Sequence, residues 1–330
     1  MPKLLNIEKQ IFKINDSKSF DDITHEVFRF QYENNPIYHQ YVNNLGISIS
    51  KLSSIDEIPF LPIEFFKTHK ISSTNRPPTK IFTSSGTTGT VNSQHLIVDI
   101  KLYEESFINT FSIFYGNPED YVFLALLPSY LEKGGSSLVY MAEELIKQSK
   151  HSESGFYLAD YKGLNETLDK LKLQNKKTVL LGVSYALLDM AENFNLDFPT
   201  LIVMETGGMK GRRKEMLRQE LHQILCEGFG VKTIHSEYGM TELLSQSYSI
   251  GDGVFKSPPW MRIKIRDVND PFSYVKSGKT GGINIIDLAN LYSCSFIETK
   301  DLGKSHSDSS FQILGRFDNS DIRGCNLMVE

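Results

Sequence analysis

The sequence predicts an α/β fold, with a core of parallel strands flanked by helices and a smaller β-rich subdomain beside it. Three observations carry this. Between about residues 120 and 208, short apolar runs alternate with amphipathic segments, the pattern of buried strands joined by right-handed helical crossovers. Beyond about residue 250 the chain turns to Gly-rich, β-leaning pieces such as "MRIKIRDV", "GGINIIDL" and "SCSFIETKDLG". A chain of 330 residues, 40% hydrophobic and 23% charged, is also long and apolar enough to bury a full core. The expected division is a helical flank packed on the core over 1–75, the α/β core over 76–250 and the β-rich subdomain over 251–330.

Taken in order, the first 75 residues read as helix with proline interruptions. The stretch "DDITHEVFRFQYENN" from Asp21 is helical in pattern, whereas "IPFLPIEFFKTHKI" from Ile58 is punctuated by Pro59 and Pro62. The core then offers "YVFLALLP" at 121, "GFYLAD" at 155, "KTVLLGVS" at 177 and "TLIVMETGG" at 200. Between them lie "SSLVYMAEELIKQ" and "LNETLDKLKLQ". The clearest amphipathic helix is Arg212 to Leu225, with Met216, Leu217, Leu221, Ile224 and Leu225 on one face. "SHSDSS", Ser305 to Ser310, reads as a solvated turn.

Composition excludes several classes. A net charge of −5 and a pI near 6.0 argue against nucleic acid as a partner, since such binders concentrate positive charge. The three cysteines, Cys226, Cys294 and Cys325, have neither zinc spacings nor the even count of a disulfide framework. This implies a reducing compartment and no structural metal. No run reaches the roughly 18 apolar residues of a membrane span, and the N-terminal apolar run is too short for a signal peptide. The expectation is a cytoplasmic protein.

The stretch "FTSSGTTGT", Phe82 to Thr90, follows an apolar pair with a run of Ser, Thr and Gly. Backbone N–H groups and hydroxyls in such a loop can wrap phosphate oxygens. It lacks the Gly-Lys-Ser/Thr ending of a Walker A loop, and a hydrophilic linker is the plain alternative. Further on, "EYGMTE", Glu237 to Glu242, follows an extended segment, "VKTIHS". There an aromatic ring can stack on a base, while a hydroxyl and a carboxylate can meet phosphate and Mg²⁺. "ETKDLG" supplies Asp301, and "GRFDNSDIRG" supplies the permanently cationic Arg316.

The ordered set "SSGTTG", "YGMTE", "TKDLG" and "GRFDNSDIRG" resembles the motifs of the adenylate-forming superfamily. Within it, "IPFLPIEFFKTHKI", "LLPSYLEKGGSSLVYM", "ETGGMKGRRKEM" and "PPWMRIKIRD" resemble the LuxE-type acyl-protein synthetases, related to phenylacetate-CoA ligases. The resemblance runs from about residue 55 to the end and implies a core like the N-terminal domain of these enzymes. It implies that Ser84, Ser85, Gly86, Thr87, Thr88 and Gly89 hold ATP phosphates, that Gly207 and Gly208 line the adenine with Tyr238 stacked on it, and that Gly239 belongs to the same nucleotide site. By the same resemblance Thr241 engages the α-phosphate, Glu242 the Mg²⁺ and Asp301 the ribose, with Arg316 close by. Thr88, Thr241, Glu242, His235 and Cys325 are the expected catalytic residues.

The implied activity is ATP- and Mg²⁺-dependent activation of a fatty or aryl carboxylic acid as its adenylate. Transfer to a thiol follows, on a protein cysteine, a partner or carrier protein (through phosphopantetheine), or coenzyme A. Two departures accompany the match. The chain ends at Glu330, where relatives continue into a mobile C-terminal domain with a lysine, and Arg323 stands where the hinge motif commonly has lysine. A non-catalytic nucleotide-binding scaffold subunit and an ATP-independent acyltransferase therefore stay open as alternatives. Enzymes of this type are acylated on a cysteine near the C-terminus, which singles out Cys325; a buried filler is the other reading.

The remaining candidates have plain readings beside the functional ones. His95 follows the loop and suits a satisfied structural histidine as well as a ligand contact. His235 is favoured because its neighbours are motif residues. Trp260 suits a pocket cap or core packing, and "KGRRK" from Lys210 suits a carrier-protein contact or a solvated helical turn. Cys226 and Cys294 look structural, Glu104 and Glu105 look like surface, and Pro128, Ser129 and Tyr130 are placed near the reaction centre.

Overall fold

A computed structural model describes residues 2–84, 91–128, 135–207, 213 and 216–317. The chain falls into two compact units, Met1–Pro77 with Pro259–Glu330, and Pro78–Pro258.

The first unit begins with α1 (Pro2–Ile11), α2 (Ser17–Asn34) and α3 (Pro36–Asn44), followed by β1 (Leu61–Pro62) and α4 (Phe65–Thr68). Asp16 opens α2 with a reciprocal capping box to Ser19. The α2 stripe of Phe20, Ile23, Thr24, Val27, Phe28 and Gln31 is buried, the spacing of one helical face. Asn35 stops this helix and starts the next: its own N–H donates to the Gln31 carbonyl, and its Oδ1 accepts from Ile37 and Tyr38 ahead of Pro36.

The second unit contains β2 (Lys80–Thr83), β3 (Gln94–Ile97), α5 (Ile100–Tyr115), β4 (Val122–Leu126), α6 (Ser137–Gln148), β5 (Gly155–Phe156) and α7 (Tyr161–Leu173). It continues through β6 (Thr178–Gly182), α8 (Ser184–Asn193), β7 (Ile202–Glu205), α9 (Arg218–Phe229), β8 (His235–Tyr238), β9 (Ser247–Ser249) and β10 (Val254–Lys256). The order is β5-β4-β6-β7-β8-β9-β10, with β5 through β8 parallel and the last two strands antiparallel. Every residue of β4 and β6 is buried, as expected of parallel strands covered on both faces. The α9 helix starts later than the amphipathic pattern predicts. Leu217 is its extended N-cap and 77% exposed, so the buried stripe is Leu221, Leu225 and Phe229, spaced by one turn each.

The first unit resumes with β11 (Met261–Arg266), β12 (Thr280–Asp287), β13 (Phe296–Ser305) and β14 (Phe311–Arg316) in an antiparallel meander, with β1 parallel on β13. The N-terminal helices share a core with it. Phe28 and Phe60 meet Phe296 edge-on, and Tyr38 stacks on the same ring. Gln31, fully buried, donates to the Asn290 and Leu291 carbonyls and accepts from the Ser295 N–H, so α2 is fastened to the β12–β13 connection by satisfied polar groups. Trp260 is core packing in this unit, 5.0 Å from Phe12 in an edge contact. Among the described residues no helix is long and apolar enough to cross a membrane.

Candidate active site

In open parallel sheets, ligand contacts gather at the carboxyl ends of the strands, near the point where successive connections leave toward opposite sides. From β4 the chain goes to β5 on one side and then to β6 on the other, so that point lies between β4 and β6. Pro128, just past β4, has its carbonyl held by the Tyr185 hydroxyl at 3.2 Å. Ser129 and Tyr130 lie outside the described residues.

The predicted phosphate loop joins the two strands of an antiparallel hairpin, with Thr83 opposite Gln94. Its base is tied twice: the Ser84 N–H donates to the Ser93 carbonyl at 3.1 Å, and the Ser84 Oγ accepts from the Ser93 N–H at 2.9 Å. The Thr83 N–H donates to the Gly135 carbonyl at 2.8 Å. Gly135 itself has φ +77°, and a Cβ there would stand 2.9 Å from Thr83 Oγ1, so this approach needs glycine. Ser84 is thus placed. Ser85, Gly86, Thr87, Thr88 and Gly89 lie outside the described residues.

Tyr238 ends β8 opposite Ser247 and is buried, with its ring 6.1 Å from Phe255. Gly239 and Thr241 follow half-buried, and Glu242 is 6% exposed. The link to the hairpin is His95 on β3: its Nδ1 lies 2.8 Å from the Thr241 carbonyl. Burial pushes the His95 imidazole down to about 4, so it is neutral at pH 7, and this bond requires Nδ1–H as donor. His95 is therefore a fixed strut between two motifs rather than a proton carrier near neutral pH. His235 sits at the other end of β8, beside Met204 of β7, and its Nδ1 lies 3.1 Å from the Tyr115 hydroxyl. Burial lowers its pKa as well.

Two carboxyls that sequence reasoning passed over lie on neighbouring strands. Glu205 ends β7, opposite Ser236, and is 3% exposed. Burial alone would raise its pKa, but His222, Arg218 and Ser236 outweigh that and hold it below the usual carboxylate range. Glu237, one residue beyond Ser236, turns to the opposite sheet face. Burial, reinforced by the charge of Glu205, pushes Glu237 up to about 8, leaving it largely protonated at neutral pH. Gly239 is constrained by it, since a Cβ there would stand 2.3 Å from Glu237 Oε1. The available signal was an acidic residue closing an apolar run, "LIVME", where water is scarce.

In the first unit, Asp301 on β13 and Arg316 on β14 are direct register partners, with Arg316 Nε 3.1 Å from Asp301 Oδ1. The carboxylate is buried, while the arginine side chain is 80% exposed. Beneath this strand pair Arg266 is buried and donates to the Ile283 and Thr299 carbonyls and to Asn284 Oδ1, and it lies 3.3 Å from Glu298. Gly282 makes room for it, because a Cβ there would stand 2.2 Å from the guanidinium.

Other expectations resolve as follows. Cys294 is fully buried and its thiol is pushed up to about 12, and burial raises Cys226 too, so neither is a thiolate near neutral pH. Arg213 of the basic run is fastened to Asp189 and Glu192 of α8, and Lys210, Gly211, Arg212 and Lys214 lie outside the described residues. Glu104 is more than surface: it is half-buried and accepts the Tyr140 hydroxyl at 2.5 Å. Gly207 has φ +73° past β7, while Gly208 and Cys325 lie outside the described residues. No cluster of three or more His, Cys, Asp or Glu fit to hold a metal occurs among the described residues.

No family model matches the chain. It is similar to two curated proteins described as long-chain-fatty-acid–luciferin-component ligases. The one from Vibrio harveyi is 21% identical, over 92% of this chain and 85% of the relative. The one from Aliivibrio fischeri is 23% identical, over 86% and 78%. Among solved structures, a 2-hydroxyisobutyryl-CoA ligase in a post-adenylation state superposes with TM-score 0.67 at 13% identity, covering 91% of this chain and 68% of the other. A long-chain-fatty-acid-CoA ligase from Archaeoglobus fulgidus superposes with TM-score 0.53 at 14% identity, covering 73% and 52%. The chain has the fold of the adenylate-forming ligases, and the LuxE-type resemblance read from its motifs stands.

Proposed function

We propose that the chain activates a carboxylic acid with ATP as its acyl-adenylate and then passes the acyl group to a thiol. The observation that carries this reading is the 2.8 Å bond from His95 to the Thr241 carbonyl. It ties β3, the strand that follows the Ser/Thr/Gly stretch, to the "YGMTE" segment, which supports a phosphate site drawn from both. In this reading Ser84 through Gly89 donate to phosphate oxygens, Thr241 to the α-phosphate, and Tyr238 with Gly207, Gly208 and Gly239 hold the base. Asp301 accepts the ribose hydroxyls, with its register partner Arg316 bonded beside it.

Glu242 suits Mg²⁺. A buried carboxylate, with no ligand cluster of three or more His, Cys, Asp or Glu among the described residues, fits a cation that arrives on the nucleotide's phosphates and keeps part of its water shell. Mg²⁺ would supply charge neutralisation on the phosphates. The acid's carboxylate oxygen bonds to the α-phosphorus as the bond to the bridging oxygen breaks and pyrophosphate leaves. The acyl carbon of this mixed anhydride is then attacked by a thiolate, AMP departs, and the thiol's proton goes to solvent.

A long-chain fatty acid is the first substrate to test, in line with the names of the curated relatives. The acceptor is a protein cysteine such as Cys325, a phosphopantetheine-bearing carrier, or coenzyme A. The test is acid-dependent pyrophosphate release from Mg·ATP, with fatty and aryl acids, in the presence and absence of coenzyme A. Fatty-acid-dependent release supports the reading. Binding of ATP with no release across all acids would favour a nucleotide-binding scaffold instead.

A further inference from the structure

We infer that Glu205 is a positioning residue, a buried carboxylate clamp that sets the Gly207 turn against which the nucleotide base is held. This rests on the nucleotide reading above for its consequence, though not for its geometry. Glu205 Oε2 accepts the Gly207 N–H at 2.6 Å and the Ser184 hydroxyl at 3.2 Å. The other oxygen, Oε1, faces His222 Nε2 at 3.6 Å. Arg218 and His222 stand one turn apart at the start of α9, on the same helix face, and both attract the carboxylate. The carboxylate of β7 thus meets a hydroxyl from α8, a cation and an imidazole from α9, and Ser236 of the neighbouring β8.

Ser, Glu and His meet here, but not as a nucleophile with its base. The carboxylate stands in the middle and both neighbours address it, and no bond links Ser184 to His222. What the arrangement does is fix backbone. Gly207 has φ +73°, a conformation open to glycine, and its amide lies in the turn that follows β7. The Thr206 N–H is already taken by the Gly182 carbonyl at 3.0 Å. Two successive amides past β7 are thus occupied, one by the neighbouring strand and one by Glu205. A charge-assisted bond from a buried carboxylate to a backbone amide is among the stronger ways to hold a turn.

The test compares the full-length wild type with Glu205→Ala, which removes the acceptor, and Glu205→Gln, which keeps a neutral one. Hydrogen exchange at the Gly207 amide, measured without nucleotide, reads the clamp itself. Calorimetric titration with Mg·ATP and the split between KM for ATP and kcat read its consequence. Glu205→Ala should lose about tenfold or more of the Gly207 protection and raise KM for ATP about tenfold with kcat nearly unchanged. Glu205→Gln should fall between, at about threefold, and it decides the matter if the alanine variant does not fold. Unchanged Gly207 exchange in both variants would overturn the clamp. Lost protection with unchanged ATP affinity would overturn its link to the nucleotide. A wild type that binds no ATP would sink the nucleotide reading instead, and the exchange experiment alone would then decide the clamp.

Discussion

The two places where the candidate residues gather are held by different means. In the first unit Asp301 and Arg316 face each other because β13 and β14 pair in that register, so a single ladder sets the geometry. In the second unit Tyr238, Thr241 and Glu242 lie on and past a strand end, and side-chain bonds to backbone fix this region, one from far along the chain and one from two residues away. His95 bonds Thr241, and Glu205 bonds Gly207. A ladder distributes a local error over several bonds, whereas a buried side-chain tether leaves an unsatisfied group when it is cut. The second region should therefore be the more sensitive to substitution and to pH.

The largest effect expected is at Glu242. Glu242→Ala should lower kcat/KM for acid-dependent pyrophosphate release about a hundredfold or more, the cost expected when the proposed Mg²⁺ ligand is removed. Comparable loss on changing the exposed Arg316 would erase the contrast between the regions.

Next come the pH limbs of stability, which belong to the second region. His95 has a folded pKa of about 4 against an ordinary 6.5. The unfolded chain takes up the proton first, so stability falls as pH drops from 6.5 toward 4, by up to about 3 kcal/mol. Glu237 acts in the opposite sense, with a folded pKa of about 8 against 4.5. Its contribution is full below 4.5 and is lost as pH rises toward 8, to the extent of a few kcal/mol at most, roughly. Urea midpoints between pH 4 and 9 should show that His95→Gln flattens the acid limb and Glu237→Gln the alkaline one. Limbs unchanged by either substitution would mean that neither group is coupled to folding as described.

The smallest effects belong to the first region. Asp301→Asn should raise KM for ATP about tenfold, the cost of one hydrogen-bonded charge. Arg316→Ala, with its side chain 80% exposed, should change unfolding free energy by no more than about 0.5 kcal/mol. A larger stability loss at Arg316 than at His95 would reverse the ranking.

Much of the fold was legible because its cause is periodic. Buried parallel strands read as continuous apolar runs, as in "YVFLALLP" and "KTVLLGVS", and the later strands carry their β character openly. The α9 start was misread because hydrophobic spacing ignores backbone: Met216 and Leu217 fit the pattern, yet Leu217 is extended with ψ 143°. Motif residues were legible as contiguous strings, among them the Asp301 and Arg316 segments. The tethers were not. Nothing local marks His95 as the partner of Thr241, or His222 as a neighbour of Glu205, since each contact is made by strands and helices brought together only in the fold. Their one signature is a polar residue amid apolar neighbours, which says that a partner exists without saying where.

The most direct test of the central claim is pyrophosphate release from Mg·ATP by the purified wild type, with a long-chain fatty acid as the varied substrate. Adenylation predicts release that saturates with fatty acid and is lost in Glu242→Ala while that variant stays folded. Release that ignores the acid, or survives the loss of Glu242 undiminished, would contradict it.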